Sequence, residues 1–213
     1  MMERETQINA ASIEIGDLEV SRMREALGVI TRGMHDNPMQ VAALGEDPEV
    51  RERKLRRMFD AVAASEEPGQ DRQLLGALGS DGSILGVLGM QPPGRCQPGL
   101  GRQLRVVPAL LGLGPRPAGR VMKWLGTWSK HDPKERHWHL GPVAVDAHLQ
   151  GMGIGSNLMR VFCAKMDAAG ETAYLEADKD MNVRFYEKFG FEMVGEEDVI
   201  GVPNWFMIRH PAQ

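Results

Sequence analysis

The feature that most constrains this chain is a glycine-rich turn, Gln150–Ser156, with the sequence QGMGIGS. It lies between a predicted strand and a long predicted helix. Glycine lets the backbone turn tightly, and the first amides of a helix have no partner inside that helix. Those amides, with the positive end of the helix dipole, bind anions. The turn therefore predicts an α/β chain in which a helix start holds a pyrophosphate without any lysine or arginine.

Other interpretations of this turn are weaker. A P-loop carries Gly-x4-Gly-Lys-Ser/Thr, and the turn has no lysine. A dinucleotide-binding fold has a third glycine where Ser156 stands. Its doubly wound sheet also needs more strand–helix units than the 58 residues after Gly155 provide. A turn without a ligand remains as an alternative, although a bare helix start seldom needs three glycines.

Hydrophobic periodicity places the turn in a strand–helix–strand unit. Trp138–Val145 is predicted to be a strand, 153–169 a helix ended by Gly170, and Thr172–Asp178 a strand lying close to parallel with the first. Proline and glycine make 92–119 a predicted loop with a short helical piece. The other predicted elements are helices over 17–33 (Asp17 as N-cap), 48–64, 117–130 and 182–189, and strands over 74–78, 84–90, 191–194 and 205–209.

Length and charge limit the class of protein. The 213 residues, 42% apolar and 25% charged, fit a single domain with a real core. The net charge of −4 argues against non-specific nucleic-acid binding. Residues 1–50 carry ten acidic and four basic residues, whereas 101–150 carry three and eight. A basic run in the second helix is predicted to be a solvated face: Arg51, Arg53, Lys54, Arg56 and Arg57.

Location follows from what the sequence lacks. No apolar run approaches the roughly 20 residues of a membrane span, and the N-terminus has no apolar signal core. The two cysteines, Cys96 and Cys163, do not form a disulfide framework. We therefore expect a cytoplasmic protein. Cys163, next to the apolar stripe of the long helix, is predicted to be a buried, inert thiol.

Motifs over residues 128–210 resemble the GNAT acetyltransferases in order and spacing. Gln150, Gly153 and Gly155 fill the Gln/Arg-x-x-Gly-x-Gly/Ala turn of that family. The segments that carry the rest of the resemblance are HDPKERHWHL (131–140), VAV (143–145), YLEA (174–177) and NVRFYEKFGF (182–191). With the WFM ending (205–207), they are most similar to the branch that contains puromycin N-acetyltransferase.

The resemblance implies an α/β GNAT fold, with a mixed, mostly antiparallel sheet flanked by helices, in one domain over 1–213. Residues 1–125 would form the acceptor side, with 92–119 as a variable insert, and 126–213 would bind acetyl-CoA. The strand at 143–145 would pair with the pantetheine arm and splay from the strand at 172–178 to admit the thioester. The cofactor-binding residues expected from the family are Val143, Ala144, Val145, Gln150, Gly151, Met152, Gly153, Ile154, Gly155, Ser156, Asn182, Phe185 and Lys188.

Three residues are candidates for catalysis. Tyr186 is the first, because a phenol of ordinary pKa, about 10, keeps its proton at neutral pH and can give it to a leaving thiolate. Freeing a lysine-like amine at pH 7 costs roughly 4 to 5 kcal/mol, so a general base is expected. Glu176 is the leading candidate, as a mid-strand carboxylate is costly without a task or a partner. His139 is the second. Arylalkylamine acetyltransferases carry paired histidines on this strand, but Gly141 occupies the second position here.

A metal site is not expected. His131, His137 and His139 suggest one, but neither cysteine lies at ligand spacing in the sequence and no carboxylate completes a triad with them. The predicted function is transfer of an acetyl group from acetyl-CoA to a primary amine of a small molecule. No nucleic-acid or membrane partner is expected, and the family resemblance allows a homodimer. The alternatives are a different acyl-CoA donor and a CoA-binding regulatory domain without catalysis.

Overall fold

The computed structural model describes residues 13–66, 72–97 and 99–212. None of the helices in these ranges has the length and apolar character needed to cross a bilayer. The described strands are β1 (Glu14–Asp17), β2 (Gln73–Leu78), β3 (Ile84–Gln91), β4 (Trp138–Val145), β5 (Ala173–Ala177), β6 (Glu192–Val199) and β7 (Val202–Arg209). The helices are α1 (Met23–Met34), α2 (Pro38–Leu44), α3 (Pro48–Ser65), α4 (Leu100–Leu111), α5 (Pro115–His131), α6 (Ile154–Ala169) and α7 (Asp180–Glu187).

The strands form one sheet in the order β1-β2-β3-β4-β5-β7-β6, so that β1 and β6 lie at its edges. β4 and β5 are parallel, and the other neighbouring pairs in the described chain are antiparallel. This confirms the mixed, mostly antiparallel sheet. α6 connects the two parallel strands along the chain, as the strand–helix–strand pattern predicts.

β4 and β5 stay together only briefly. Their register pairs Trp138 with Ala173 and His139 with Tyr174. β4 then continues to Val145 and β5 to Ala177 without further pairing between them. The separation confirms the expected splay, and it leaves a gap in the sheet that ends near the start of α6.

Helices cover both faces of the sheet. On one face, α6 buries Leu158, Phe162 and Met166 in a core shared with β2, β3 and β5. On the other, α1 packs Ala26 and Ile30 against β3 and β4. A third cluster joins α2, α4 and α5 to the turn between β6 and β7. The gap between β4 and β5 therefore lies within a rigid, covered sheet.

The N-terminal part departs from the prediction of a helix over 17–33. Asp17, the expected N-cap, is the last residue of β1, and the helix begins at Met23. The Leu18 amide donates to the Leu74 carbonyl at 2.8 Å, which keeps this segment beside β2. α2 was also not predicted. Pro38 lies after the end of α1 and is the first residue of α2, a position where proline costs no helical hydrogen bond.

The prediction of a loop over 92–119 is wrong for most of its length. α4 has 12 residues with Pro108 inside it, and α5 begins at Pro115. Arg51 differs from the predicted solvated face of α3. Its guanidinium is buried and donates to the His35 carbonyl at 2.5 Å and to the Gly45 carbonyl at 2.8 Å. It therefore ties α3 to the segments at both ends of α2.

The close approach of α1 to β4 gives a test of this packing. A Cβ atom at Gly33 would lie 2.5 Å from the Val145 carbonyl oxygen, which cannot move without shifting β4. We expect Gly33→Ala to lower the free energy of unfolding by about 1–3 kcal/mol. Gly28→Ala in the same helix is the control. Its nearest neighbour is the flexible end of Arg32 at 3.3 Å, so it should be neutral or stabilise by up to about 1 kcal/mol. Urea unfolding measures both, and equal effects would contradict the packing described.

Candidate active site

The glycine turn has the backbone that its sequence predicts. Gly151 and Gly153 have φ angles of 82° and 83°, in the left-handed region that favours glycine. The first backbone bond of α6 runs from the Asn157 amide to the Gly153 carbonyl at 3.0 Å. The amides of Ile154, Gly155 and Ser156 therefore have no acceptor inside the helix. The arrangement can bind an anion.

Neighbouring elements hold this turn in place. The side-chain amide nitrogen of Gln150, Nε2, donates to the backbone carbonyls of Gly33 and Val145, both at 3.2 Å. A Cβ atom at Gly155 would lie 3.7 Å from the Phe185 ring and from the Val145 side chain, which is ordinary contact. The turn thus touches the ends of α1, β4 and α7. Met152 projects outward and is 42% exposed.

The end of β4 offers its backbone on one side. Val143, Ala144 and Val145 pair with β3 along one edge. Along the other edge they have no partner strand, because β5 has separated from β4. Apart from the Val145 carbonyl, which accepts from the Gln150 side chain, the backbone groups on that edge can therefore pair with an extended ligand in the gap.

α7 places its predicted residues differently. Tyr186 is buried against Phe185 and Phe191, whose ring centroids lie 5.3 and 5.9 Å away. Asn182 is half-buried, four residues earlier on the same helix. Lys188 is exposed just after the helix and makes no ion pair within the described residues. The fold therefore brings Phe185 to the glycine turn, whereas Lys188 points to solvent.

The environment of Tyr186 keeps its hydroxyl protonated. Burial raises the pKa of Tyr186 well above the ordinary value, and the negative charge of Asp178 raises it further. Asp178, which sequence reasoning missed, follows β5 directly. One of its carboxylate oxygens accepts the Met39 amide at the start of α2, at 3.0 Å. Burial also raises the pKa of Asp178, against the effect of that bond. The phenol is thus a proton donor rather than a base.

Glu176 and His139 form a pair at the point where β4 and β5 separate. His139 Nε2 lies 3.0 Å from a carboxylate oxygen of Glu176, whose side chain is only 3% exposed. Burial alone would lower the pKa of His139, but the charge of Glu176, with contributions from Asp132 and Cys96, raises it well above 6.5. The buried Glu176 carboxylate therefore has His139, the second candidate base, as its partner.

Further polar groups lie behind His139. Asp132 Oδ1 is 3.1 Å from His137 Nε2 and 3.6 Å from His139 Nδ1. Burial raises the pKa of Cys96, but the two imidazoles more than offset this and bring it to about 7. Burial likewise lowers the pKa of His137, yet Asp132 and Cys96 raise it to about 10. Burial raises the pKa of Asp132, but the hydrogen bond from His137, the nearby His139 imidazole and the hydrogen bond from Gln97 lower it to well below its ordinary value.

This cluster corrects the argument made above against a metal site. Cys96 is far from the histidines in sequence and Asp132 lies only five residues before His137, and the fold brings all four side chains together. A possible signal was the position of Asp132, directly after a helix and shortly before His137-x-His139. The other cysteine agrees with its prediction. Cys163 is buried in α6, and burial raises its pKa.

Known acetyltransferases resemble this chain in sequence and in fold. The model of the acetyltransferase (GNAT) family matches residues 46–191. The fold is similar to that of a histone acetyltransferase HPA2 and related acetyltransferase from Corynebacterium glutamicum. That match has a TM-score of 0.71 and 21% identity and covers 95% of this chain and 98% of the other.

Two further solved structures are similar over comparable lengths. The Drosophila melanogaster polyamine N-acetyltransferase matches with a TM-score of 0.61 and 12% identity, over 93% of this chain and 99% of the other. The PaiA N-acetyltransferase of Thermoplasma acidophilum, in complex with coenzyme A, matches with a TM-score of 0.53 and 13% identity, over 93% and 99%. At these identities the likeness concerns the fold.

Proposed function

Because the chain belongs to the acetyltransferase (GNAT) family, we propose that it transfers the acetyl group of acetyl-CoA to a primary amine of a small molecule. The observation that carries this proposal is the gap between β4 and β5. The two strands pair at two positions only, and the gap beyond them ends beside the free amides of α6. An extended thioester laid along that gap has its phosphates at the helix start and its acyl carbon between the strands.

The turn supplies binding without a basic side chain. The amides of Ile154, Gly155 and Ser156 bind the pyrophosphate of CoA, supported by the dipole of α6. The free edge of Val143–Val145 pairs with the amides of the pantetheine arm. Gln150 holds the turn against β4, and Asn182 and Phe185 contact the arm from α7. Lys188 and the exposed Met152 lie toward the outer part of the cofactor.

Tyr186 assists departure of the thiolate. When the tetrahedral intermediate collapses, the C–S bond breaks and the sulfur takes up negative charge. A phenol that keeps its proton can donate that proton to the sulfur. The buried setting of Tyr186 and its raised pKa support this role. A domain that only bound CoA would have no need of a protonated phenol there.

Glu176 is proposed as the base that receives the proton of the amine. Its carboxylate is buried at the separation of the strands, and only one of its oxygens is bonded to His139. The other oxygen can accept a proton directly or through a water. His139 is the alternative base. When Glu176 is the base, His139 positions the Glu176 carboxylate through its ring nitrogen Nε2.

The acceptor is proposed to be cationic. Glu176 lies near the inner end of the gap and Asp178 directly follows β5. Residues 1–50 are acidic overall, although 1–12 fall outside the described residues. The similarity of 128–210 to the puromycin N-acetyltransferase branch supports including puromycin among the acceptors tested. A thiol-release assay with acetyl-CoA and a panel of amines tests the proposal. Propionyl- and succinyl-CoA in the same assay test the alternative donors. The proposed function would be contradicted if none of the amines in the panel caused release of the thiol.

A pair of glycine variants tests the cofactor site. Alanine at Gly153 must adopt φ near 83°, which costs roughly 1–2 kcal/mol. We expect Gly153→Ala to weaken CoA binding about tenfold in calorimetry. In the matched variant Gly155→Ala, the added methyl group makes ordinary contacts at 3.7 Å and affinity should be retained. Equal losses, or no loss in either, would count against binding at this turn.

Removing one hydroxyl tests the proton donor. Tyr186→Phe should lower kcat by about 10²–10⁴-fold, because the thiolate then leaves without a proton. The affinity for CoA should be unchanged. The other tyrosine of the chain gives the control. The Tyr174 hydroxyl is buried and has no hydrogen-bond partner among the residues that the structure describes, so Tyr174→Phe should leave turnover near that of the wild type. Normal kcat in Tyr186→Phe would refute the assigned role.

The basicity of the acceptor tests Glu176. For an amine of pKa about 10, Glu176→Gln should lower kcat/KM by about 10²–10⁴-fold. For an acceptor whose amine is already neutral at the assay pH, the loss should be much smaller, since no proton needs to be removed before attack. Glu171→Gln, which changes a carboxylate paired with Arg136 just before β5, should affect neither acceptor. A loss that is independent of amine pKa would indicate a structural role for Glu176.

A further inference from the structure

Four side chains with metal-ligating atoms meet beside the start of β4. They are Cys96, Asp132, His137 and His139, and one donor atom of each lies within 4.8 Å of the others. They come from three segments: the turn after β3, the end of α5 and the first part of β4. The proposed transfer reaction uses none of the first three.

The spacing of these atoms fits a tetrahedral ion. A Zn²⁺ ion 2.0–2.3 Å from each of four ligands keeps those ligands about 3.3–3.8 Å apart. Asp132 Oδ1 lies 3.1 Å from His137 Nε2 and 3.6 Å from His139 Nδ1. All four donor atoms lie within 4.8 Å of one another, so the longest separation exceeds that of a tetrahedral site by no more than about 1–1.5 Å.

Each non-sulfur ligand is already oriented through its other polar atom. His137 Nδ1 donates to the Glu135 carbonyl at 2.8 Å, which aims its Nε2 at the cluster. His139 Nε2 lies 3.0 Å from Glu176, which aims its Nδ1 there. The second oxygen of Asp132 accepts the Gln97 amide at 2.9 Å. Carboxylates and carbonyls in these outer positions are typical of metal-bound histidines.

One of the donor atoms makes no hydrogen bond within the described part of the chain. His139 Nδ1 is buried there without a hydrogen-bond partner, since the carboxylate oxygen of Asp132 is beyond bonding distance at 3.6 Å. A buried polar atom without a partner costs free energy, so such atoms are rare in folded proteins. A metal ion at the centre of the cluster would satisfy it.

We propose that Cys96, Asp132, His137 and His139 bind one Zn²⁺ ion. A thiolate and two imidazoles favour zinc over Mg²⁺ or Ca²⁺, which prefer oxygen ligands. Four protein ligands leave no open position, so the ion is structural. An open cleft of about 390 Å³, lined by Cys96, Asp132 and His137 among others, gives it a path from solvent. The ion ties the turn after β3 to β4 and holds His139 against Glu176.

Metal content and a spectroscopic probe test this site on the full chain. After exposure to Zn²⁺ and removal of excess metal, the wild type should retain one Zn²⁺ per chain by elemental analysis, and Zn²⁺ should raise the Tm of the metal-free protein. Co²⁺ in its place should give the visible bands of a tetrahedral site and a thiolate charge-transfer band. No retained zinc, or cobalt spectra typical of six oxygen ligands, would overturn the proposal.

Variants assign the ligands. Cys96→Ser should abolish the charge-transfer band and weaken zinc binding by more than about 100-fold, whereas Cys163→Ala should keep both. Gln97→Ala, an exposed change expected to fold normally, should weaken zinc binding by about 10–100-fold through its effect on Asp132. A charge-transfer band that persists in Cys96→Ser would refute the site. Calorimetry with CoA on the same samples separates this result from the proposed function, because the glycine turn binds without metal.

Discussion

The architecture depends on the early separation of two parallel strands. β4 and β5 share two registered pairs, and beyond them the backbone of β4 has an unused edge. A sheet normally closes such an edge, because unpaired amides and carbonyls are costly when buried. Here α6 begins at the mouth of the opening, and two left-handed glycines turn the chain so that its first amides face the same space. The strand edge and the helix start thus form one continuous row of backbone donors and acceptors.

The inner end of that row is polar for a related reason. Glu176 is buried on β5 and needs a partner, and His139 on β4 supplies it across the last registered pair of the strands. His139 in turn faces Asp132 and Cys96. The proposed metal site and the proposed transfer site therefore share one imidazole, whose two ring nitrogens face different groups. Fixing one nitrogen determines how the other presents itself to Glu176.

Periodic segments could be predicted from the sequence, and contacts between distant segments could not. α6 and β4 match their predicted bounds closely, and for α6 the reason is a regular apolar stripe that is buried. β1 and α2 are short, and the bond from Leu18 to Leu74 that places β1 is long-range. The same holds for Cys96, which is distant in sequence from the histidines that it meets. Tyr186 and Glu176 are predicted from residue chemistry and family resemblance, whereas Asp178 and Arg51 bond to backbone groups that no motif reveals. The homodimer and the cytoplasmic location remain predictions.

The outer strand of the C-terminal hairpin restricts how copies of this protein can associate. β6 lies at one edge of the sheet, and Glu192, Glu196, Glu197 and Asp198 along it are exposed. Joining two such edges would bring like charges together while their backbones pair, which charged edge strands are known to prevent. The opposite edge strand, β1, has four residues within the described part of the chain. Continuous sheets across subunits, and the fibrous aggregates they lead to, are therefore disfavoured at the β6 edge.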